Sequence, residues 1–167
     1  MKNLYKVLVS TLFIATFGFA TTYHVTTTGS ENNDGSEASP FATIQAGIDV
    51  ASDGDTVLVA AGTYFENINF NGKNITVNGE DRETTIIDGQ NTDSVVKFVN
   101  NETGNAKLVG FTITNGYASD GGGIYLYNSY PNLVDLIITQ NEATANGVVI
   151  VDNLYTSTFR AGLCGSH

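Results

Sequence analysis

The sequence predicts an all-β solenoid, a stack of short parallel coils closed at its N-terminal end by one α-helix. The first observation is a unit written twice. Lys107-Leu-Val-Gly-Phe-Thr-Ile-Thr-Asn-Gly116 aligns with Asn132-Leu-Val-Asp-Leu-Ile-Ile-Thr-Gln-Asn141 at an offset of 25 residues, and the same offset carries Gly122 onto Gly147, Ile124 onto Val149, Leu126 onto Val151 and Asn128 onto Asn153. A period of about 20 to 30 residues, made of β runs and turns with no helix between them, marks stacked coils. The second observation is in the turns. Asn78-Gly79, Asp88-Gly89, Asn115-Gly116 and Gln140-Asn141 each close a strand with a pair whose second member tolerates positive φ. In two-residue hairpins such pairs signal antiparallel strands, but their recurrence at one place in a repeat favours parallel stacking.

Taken in order, residues 1–20 read as an export signal. Lys2 and Lys6 make a basic start, residues 7–19 an apolar run short for a membrane span, and Gly18-Phe-Ala20 puts small residues before a cut after Ala20. The competing reading is a membrane anchor holding the same domain outside the cell. Thr22-Tyr-His-Val-Thr-Thr27 is β-branched and aromatic, a first strand. The polar loop 29–37 either binds Ca²⁺ or is an ordinary Asn/Asp/Gly turn, and its spacing does not match an EF-hand.

The third observation is one stretch of helical periodicity. Ser39 suits an N-cap and Pro40 the first helical position, with Phe41, Ile44, Ile48 and Ala51 on one face and Gly54 as the stop. A solenoid exposes the end of its core at the first coil, so residues 39–53 are expected to form the cap there. Val57-Leu-Val59, Ile68-Asn-Phe70, Ile75-Thr-Val77, Thr85-Ile-Ile87 and Val96-Lys-Phe98 then place apolar residues on one face at period two. The same alternation sets Val109, Phe111 and Ile113 inward beneath Val134, Leu136 and Ile138, with Thr112, Thr114, Tyr125 and Tyr127 outward. The domain expected over 21–153 has room for about four or five coils. Carried forward, the offset reaches Phe159, Ala161 and Leu163, but Arg160, Cys164 and His167 do not complete a coil. Residues 154–167 are therefore expected to be an irregular, truncated tail, the alternative being a genuine irregular C-terminal cap.

Composition excludes several functions. Without the signal, 5 basic residues face 17 acidic ones, a net charge of −12 against −10 for the whole chain, which repels nucleic acid and anionic lipid. Cys164 has no internal disulfide partner. His24 and His167, far apart in the chain, make a histidine-built zinc site or a His-dependent triad a poor reading.

Tyr23-His-Val-Thr-Thr-Thr-Gly-Ser30, Asp34-Gly35, Ser39-Pro-Phe-Ala-Thr-Ile-Gln-Ala-Gly-Ile48, Gly54-Asp-Thr-Val-Leu-Val59, Gly62-Thr-Tyr64 and Gly121-Gly-Gly-Ile-Tyr125 resemble the N-terminal portion of secreted proteins of the pectin-lyase-like superfamily. The resemblance implies a right-handed, single-stranded parallel β-helix. It leaves the reaction open, because the superfamily holds polysaccharide lyases, hydrolases and epimerases beside surface proteins of no known activity. For a lyase it implies an outer groove in which Ca²⁺ on Asp or Glu neutralises a uronate carboxylate while Lys or Arg takes the α-proton. Lys73, Arg82, Lys97, Lys107 and Arg160 are the bases beyond the signal, and none stands beside a repeated column of acids. Glu80, Asp81, Asp88 and Asp93 come nearest to a cluster, either a Ca²⁺ site or solvated turn acids. No catalytic position of the family is matched.

A binding role needs less. Tyr125, Tyr127 and Tyr130 lie on or just after an outward face, where they either stack sugars or shield coil edges. The chain is thus expected to be an exported or cell-surface protein, non-catalytic as it stands, that binds extracellular polysaccharide. The alternatives are a fragment of a pectate-lyase-like enzyme acting by Ca²⁺-assisted β-elimination, and a structural or adhesive stalk. Nucleic-acid partners and a membrane span beyond the signal are not expected. Sequons occur at Asn74-Ile-Thr76 and Asn101-Glu-Thr103.

Overall fold

A computed structural model describes residues 19–146, 149–151 and 161–162; the expectations for 1–18, for Gly147 and Asn153, and for the rest of 154–167 lie outside them. β1 (Thr22–Val25) precedes the helix α1 (Ile44–Val50). The first coil is β2 (Thr56–Val59), β3 (Gly62–Phe65) and β4 (Ile68–Asn69), and the second β5 (Thr76–Gly79), β6 (Thr85–Asp88) and β7 (Val96–Phe98). The third is β8 (Lys107–Thr114), β9 (Tyr117–Asp120) and β10 (Ile124–Leu126), the fourth β11 (Asn132–Thr139), β12 (Glu142–Asn146) and β13 (Val149–Val151), followed by β14 (Ala161–Gly162). One sheet runs β1-β2-β5-β8-β11-β14, with β3 and β6 joined through β8; a second runs β4-β7-β10-β13; a third pairs β9 with β12. Each pairing is parallel and joins a strand to its counterpart in the next coil. The fold is a parallel β-helix.

Columns of side chains fill its interior. Val57, Val77, Leu108 and Leu133 stack in register, as do Tyr64, Ile87, Ile113 and Ile138, and Ile68, Val96 and Ile124. All of these are buried. Phe70 lies over Phe98 with ring centroids 4.1 Å apart. Burying an aliphatic or aromatic side chain of this size contributes about 1.5–3 kcal/mol, which is what holds a stack without disulfides together.

The 25-residue offset holds: Leu136 faces Phe111 and Ile138 faces Ile113. It extends further, since Leu136 and Ile137 pair with Ala161 and Gly162. The inward set differs at one end of each strand. Leu108 and Leu133 enter the core, whereas Val109 is half-buried and Val134 is 44% exposed. The cause is a left-handed residue in mid-strand, Gly110 at φ +75° and Asp135 at φ +53°. It turns a corner and shifts the alternation by one residue, as a bulge does. The corner is tight, because a Cβ on Gly79 would lie 2.3 Å from the Gly110 carbonyl oxygen. Thr114 is buried rather than outward, its hydroxyl donating to Gln140 Oε1 at 3.3 Å.

The cap is shorter than expected at both ends. Thr43, not Ser39, is the N-cap, its hydroxyl accepting from Ala46 N at 3.3 Å. Residues before it stay extended because Phe41 N donates to His24 O and Thr26 N to Phe41 O, which lays them along β1. At the other end Asp55 takes hydrogen bonds from Ser52 N and Thr21 N at 2.8 and 2.7 Å and turns the chain out of the helix after Ala51. Gly54, at φ +91°, serves that turn. Phe41, Ile44, Ile48 and Ala51 are buried as read, and α1 packs on β1, β2 and β4.

The turn pairs also work differently. In Asn115-Gly116 and Gln140-Asn141 the first member is left-handed, at φ 55° and 56°; after Asp88 the left-handed residues are Gln90 and Asn91; Asn78-Gly79 has none. Close approach requires the glycine instead, since a Cβ on Gly116 would meet the Gly122 carbonyl oxygen at 1.9 Å. A further left-handed column, Asn71, Asn101 and Asn128, follows β4, β7 and β10. The two sequons meet in space, with Asn74 Oδ1 accepting from Thr103 N and Oγ1 at 2.8 and 2.7 Å.

Candidate functional site

β7 and β10 are adjacent strands with Val96, Phe98, Ile124 and Leu126 turned into the core. Alternation therefore turns Lys97 and Tyr125 outward as neighbours in one ladder, with Asn69 of β4 on the other side of Lys97. β9 supplies a facing wall with Tyr117, Ser119 and Asp120, and Asp93 rises from the turn before β7. Lys97, Tyr125, Tyr117, Ser119, Asp120 and Asp93 line a cleft of about 470 Å³.

The cleft is braced from below. Lys97 Nζ donates to Asp93 Oδ2 at 2.5 Å, with the two side chains 30% and 47% exposed. Ser94 N donates to Asp93 Oδ1 at 2.7 Å, and Tyr117 N to the Asp93 carbonyl at 3.1 Å. Burial pushes the Asp93 carboxyl up, but the hydrogen bonds from Lys97 and Ser94 and the charge of Lys97 outweigh it, leaving the group below its ordinary value. On the facing wall Ser119 Oγ donates to Asp120 Oδ2 at 3.3 Å, and Ser94 Oγ to the Asp120 carbonyl at 3.3 Å. The result is a pocket with two tyrosines, several hydroxyls, an ammonium and two carboxyl groups.

Of the tyrosines expected to bind, Tyr125 lines this cleft. Tyr127 and Tyr130 are 51% and 53% exposed on the turn that follows and do not line it. The expected four-acid cluster is not brought together. Glu80 Oε2 accepts from Ala61 N, Asp81 Oδ1 from Glu83 N, Asp88 from Gln90 N and Asn115 Nδ2, and Asp93 from Lys97. Each acid is engaged by separate donors, Glu80 and Asp88 by residues of neighbouring coils, and among the described residues no group of three His, Cys, Asp or Glu side chains is placed to hold a metal ion. The 29–37 loop is likewise an ordinary turn, with Asp34 Oδ1 accepting from Ser36 N and Asn33 Nδ2 donating to Pro40 O. Among the described residues the four acids do not converge on a shared calcium centre.

Lys97 is the one of these bases that the structure pairs with an acid of the expected cluster, Asp93, in the cleft that Asp120 also lines. Sequence periodicity missed this because Asp93 and Lys97 are close in the chain while Tyr117 and Asp120 come from the following coil. The remaining described bases do structural work or point outward. Lys73 Nζ donates to Ile48 O and Asp49 O, Arg82 pairs with Asp135 at 2.8 Å, and Lys107 is exposed.

Parallel coils stacked in register, together with the family match over residues 23–167, place the chain among the pectate-lyase-like β-helices. The chain belongs to the family described as Pel9A-like, right handed beta helix region, which matches residues 23–167. No curated protein matches it. Among the described residues no helix is long and apolar enough to cross a membrane.

Proposed function

We propose that this chain is an exported or cell-surface protein that binds polysaccharide in the cleft between Lys97 and Asp120, without cleaving it. The observation that carries this reading is the pairing of two aromatic faces, Tyr117 and Tyr125, with hydroxyl and carboxyl groups around one groove. Sugar rings bind by stacking their C–H faces on aromatic rings while their hydroxyls exchange hydrogen bonds with polar groups at the rim. Export is supported by the basic and apolar pattern of residues 1–20. The test is affinity electrophoresis of the chain through gels containing a panel of soluble polysaccharides. At least one should retard it, and Tyr117→Ala or Tyr125→Ala should abolish the retardation while leaving the melting temperature unchanged. No retardation by any member of the panel refutes the reading.

A second reading, a lyase acting by β-elimination, is favoured by the Lys97 amine beside carboxyl groups in a groove. Against it, Lys97 is engaged as the cation of an ion pair, and among the described residues the acids do not assemble a metal centre. Appearance of the ultraviolet absorbance of an unsaturated uronate product on mixing with polyuronate and Ca²⁺ would establish this reading in place of the first.

A further inference from the structure

We propose that the glycan lies across the stack, in the plane of the third coil, and leaves the cleft over Tyr127 and Tyr130. This rests on the reading that the cleft binds polysaccharide. The observation is where the exposed tyrosines fall. Tyr117, Tyr125, Tyr127 and Tyr130 all belong to the coil of β8, β9 and β10 and the turn that follows it. Among the described residues the two coils below contribute one tyrosine, the buried Tyr64, and the coil above contributes no aromatic residue.

Along the stack the rings therefore end after one rung. The ladder partners of Tyr125 are Lys97 and Ile150, with Asn69 beyond Lys97, and the partner of Tyr117 is Glu142. Lys97 and Asn69 offer polar groups to a chain laid along the axis, but no further face on which a sugar ring stacks. Across the stack the rings continue. Tyr127 stands two residues after Tyr125, and its N–H donates to Phe98 O at 2.9 Å, which carries the β10 ladder on to it. Alternation puts the two tyrosines on one face about 6.6 Å apart, at a rise of about 3.3 Å per residue, so neighbouring sugars of one chain can each meet a ring.

The turn that carries the last two rings is fixed from beneath. Asn128, at φ 51°, bends the chain, Tyr130 N donates to Glu102 O at 3.0 Å, and the buried Ser129 between them donates to the Glu102 carboxylate at 2.6 Å. Tyr127 and Tyr130 themselves stay 51% and 53% exposed. A tyrosine has few torsions to immobilise, and on a pinned backbone it meets a ligand with little ordering left to lose. The two rings thus extend the site beyond the cleft, toward the turn that closes the third coil.

The experiment measures affinity against chain length by calorimetry, using glucan, xylan, mannan and polygalacturonate and their linear fragments from disaccharide to hexasaccharide. Wild type, Tyr127→Ala, Tyr130→Ala and the double variant are compared, and melting curves check that removing these exposed rings leaves the fold standing. In the series that wild type binds, affinity should climb beyond the disaccharide. The double variant should hold the disaccharide as wild type does and lose the climb, with each single variant weakening the hexasaccharide by about 3- to 10-fold, the size of one aromatic contact. A merely structural role would weaken every length alike. That outcome overturns this inference and leaves the binding reading intact, as does a climb untouched by both substitutions, affinity that does not grow with length, or a polymer bound without any of its fragments. Failure of wild type to bind any polymer or fragment overturns both.

Discussion

Glu66 and Lys73, on either side of β4, hold opposite ends of the same helix. The Glu66 carboxylate accepts from Ile44 N and Gln45 N at 2.8 and 2.9 Å, and Lys73 Nζ donates to Ile48 O and Asp49 O at 2.7 and 2.6 Å. α1 carries no acid in its own first turn and no base in its last. The first coil supplies both, so the unsatisfied peptide groups and the dipole of a seven-residue helix are completed only when it docks. Glu66→Ala should cost about 1–3 kcal/mol, because it strands partly buried N–H groups, and Lys73→Ala about 0.3–1 kcal/mol. Chemical denaturation measures both. Neutral effects at both positions would mean that the apolar face of Ile44 and Ile48 alone holds the cap.

Glu66 also has an inverted dependence on pH. Burial is the largest influence and raises its carboxyl above 4.5, against the two N–H donors, with the charge of Glu31 adding to the rise. A carboxyl raised in the folded state contributes stability that is fully present below 4.5 and is lost as pH rises through the folded value. The stability of wild type relative to Glu66→Gln should therefore be highest in acid and fall toward neutrality. Asp93 runs the other way: its lowered carboxyl contributes stability above 3.8 that is lost as pH falls through the folded value. Melting temperatures of wild type, Glu66→Gln and Asp93→Asn across the acid range should give slopes of opposite sign, and slopes of the same sign would contradict the assignment.

Deep in the turn column, Glu102 is fully buried and joins three coils. Its carboxylate accepts from Gly72 N at 2.8 Å, Asn100 N at 2.9 Å and Ser129 Oγ at 2.6 Å. Glu102→Ala leaves these donors without a partner, at about 1–3 kcal/mol for each group that water cannot reach. The expected loss exceeds that of an average core substitution, and hydrogen exchange should quicken together at Gly72 and Asn100. Exchange that stays slow at Gly72 would show that Glu102 does not tie its coil down.

The corner in β8 makes a sharp mutational contrast. Leu108→Asp puts an unpaired charge into the core and should cost several kcal/mol, whereas Val109→Asp, one residue away, should cost less than about 1 kcal/mol. Thermal melts of the two variants decide between the observed register and a strict alternation running back from Ile113.

The stack was legible in the sequence where local rules and the repeat agreed. The 25-residue offset gave the pairing of Ile113 with Ile138 and of Leu126 with Val151, because parallel coils translate residue for residue. It misled at Val109 and Val134, since a left-handed Gly110 or Asp135 inside a strand looks like any polar or small residue until its φ is known. Ser39-Pro40 has the propensity of a helix start, which the pairing of Phe41 with Val25 overrides. The site was less legible still. Tyr125 was visible as an outward residue of a strand, but the groove needs β9 as a wall, and Tyr117 to Asp120 offer a weakly patterned, half-exposed strand. Lys97 with Asp93 is a spacing of four, met in any loop, and its meaning comes from the coil laid beside it.

The corner between the first two strands is spanned by residues 60–61 in the first coil and 80–84 in the second, whereas in the third and fourth coils one long strand, β8 or β11, turns the same corner on a single left-handed residue within it. Successive positions in the Val57, Val77, Leu108 and Leu133 column are 20, 31 and 25 residues apart, because the corner and the other links all vary in length, yet they remain in register. The architecture counts rungs rather than residues. Lengthening a closed loop costs only about 0.6 kcal/mol per doubling, so this edge can take inserted chain while the hydrogen-bonded ladder beneath it stays unchanged. It is the natural graft point of the molecule: a foreign peptide placed between 80 and 84 would be displayed at a fixed height on a rigid post.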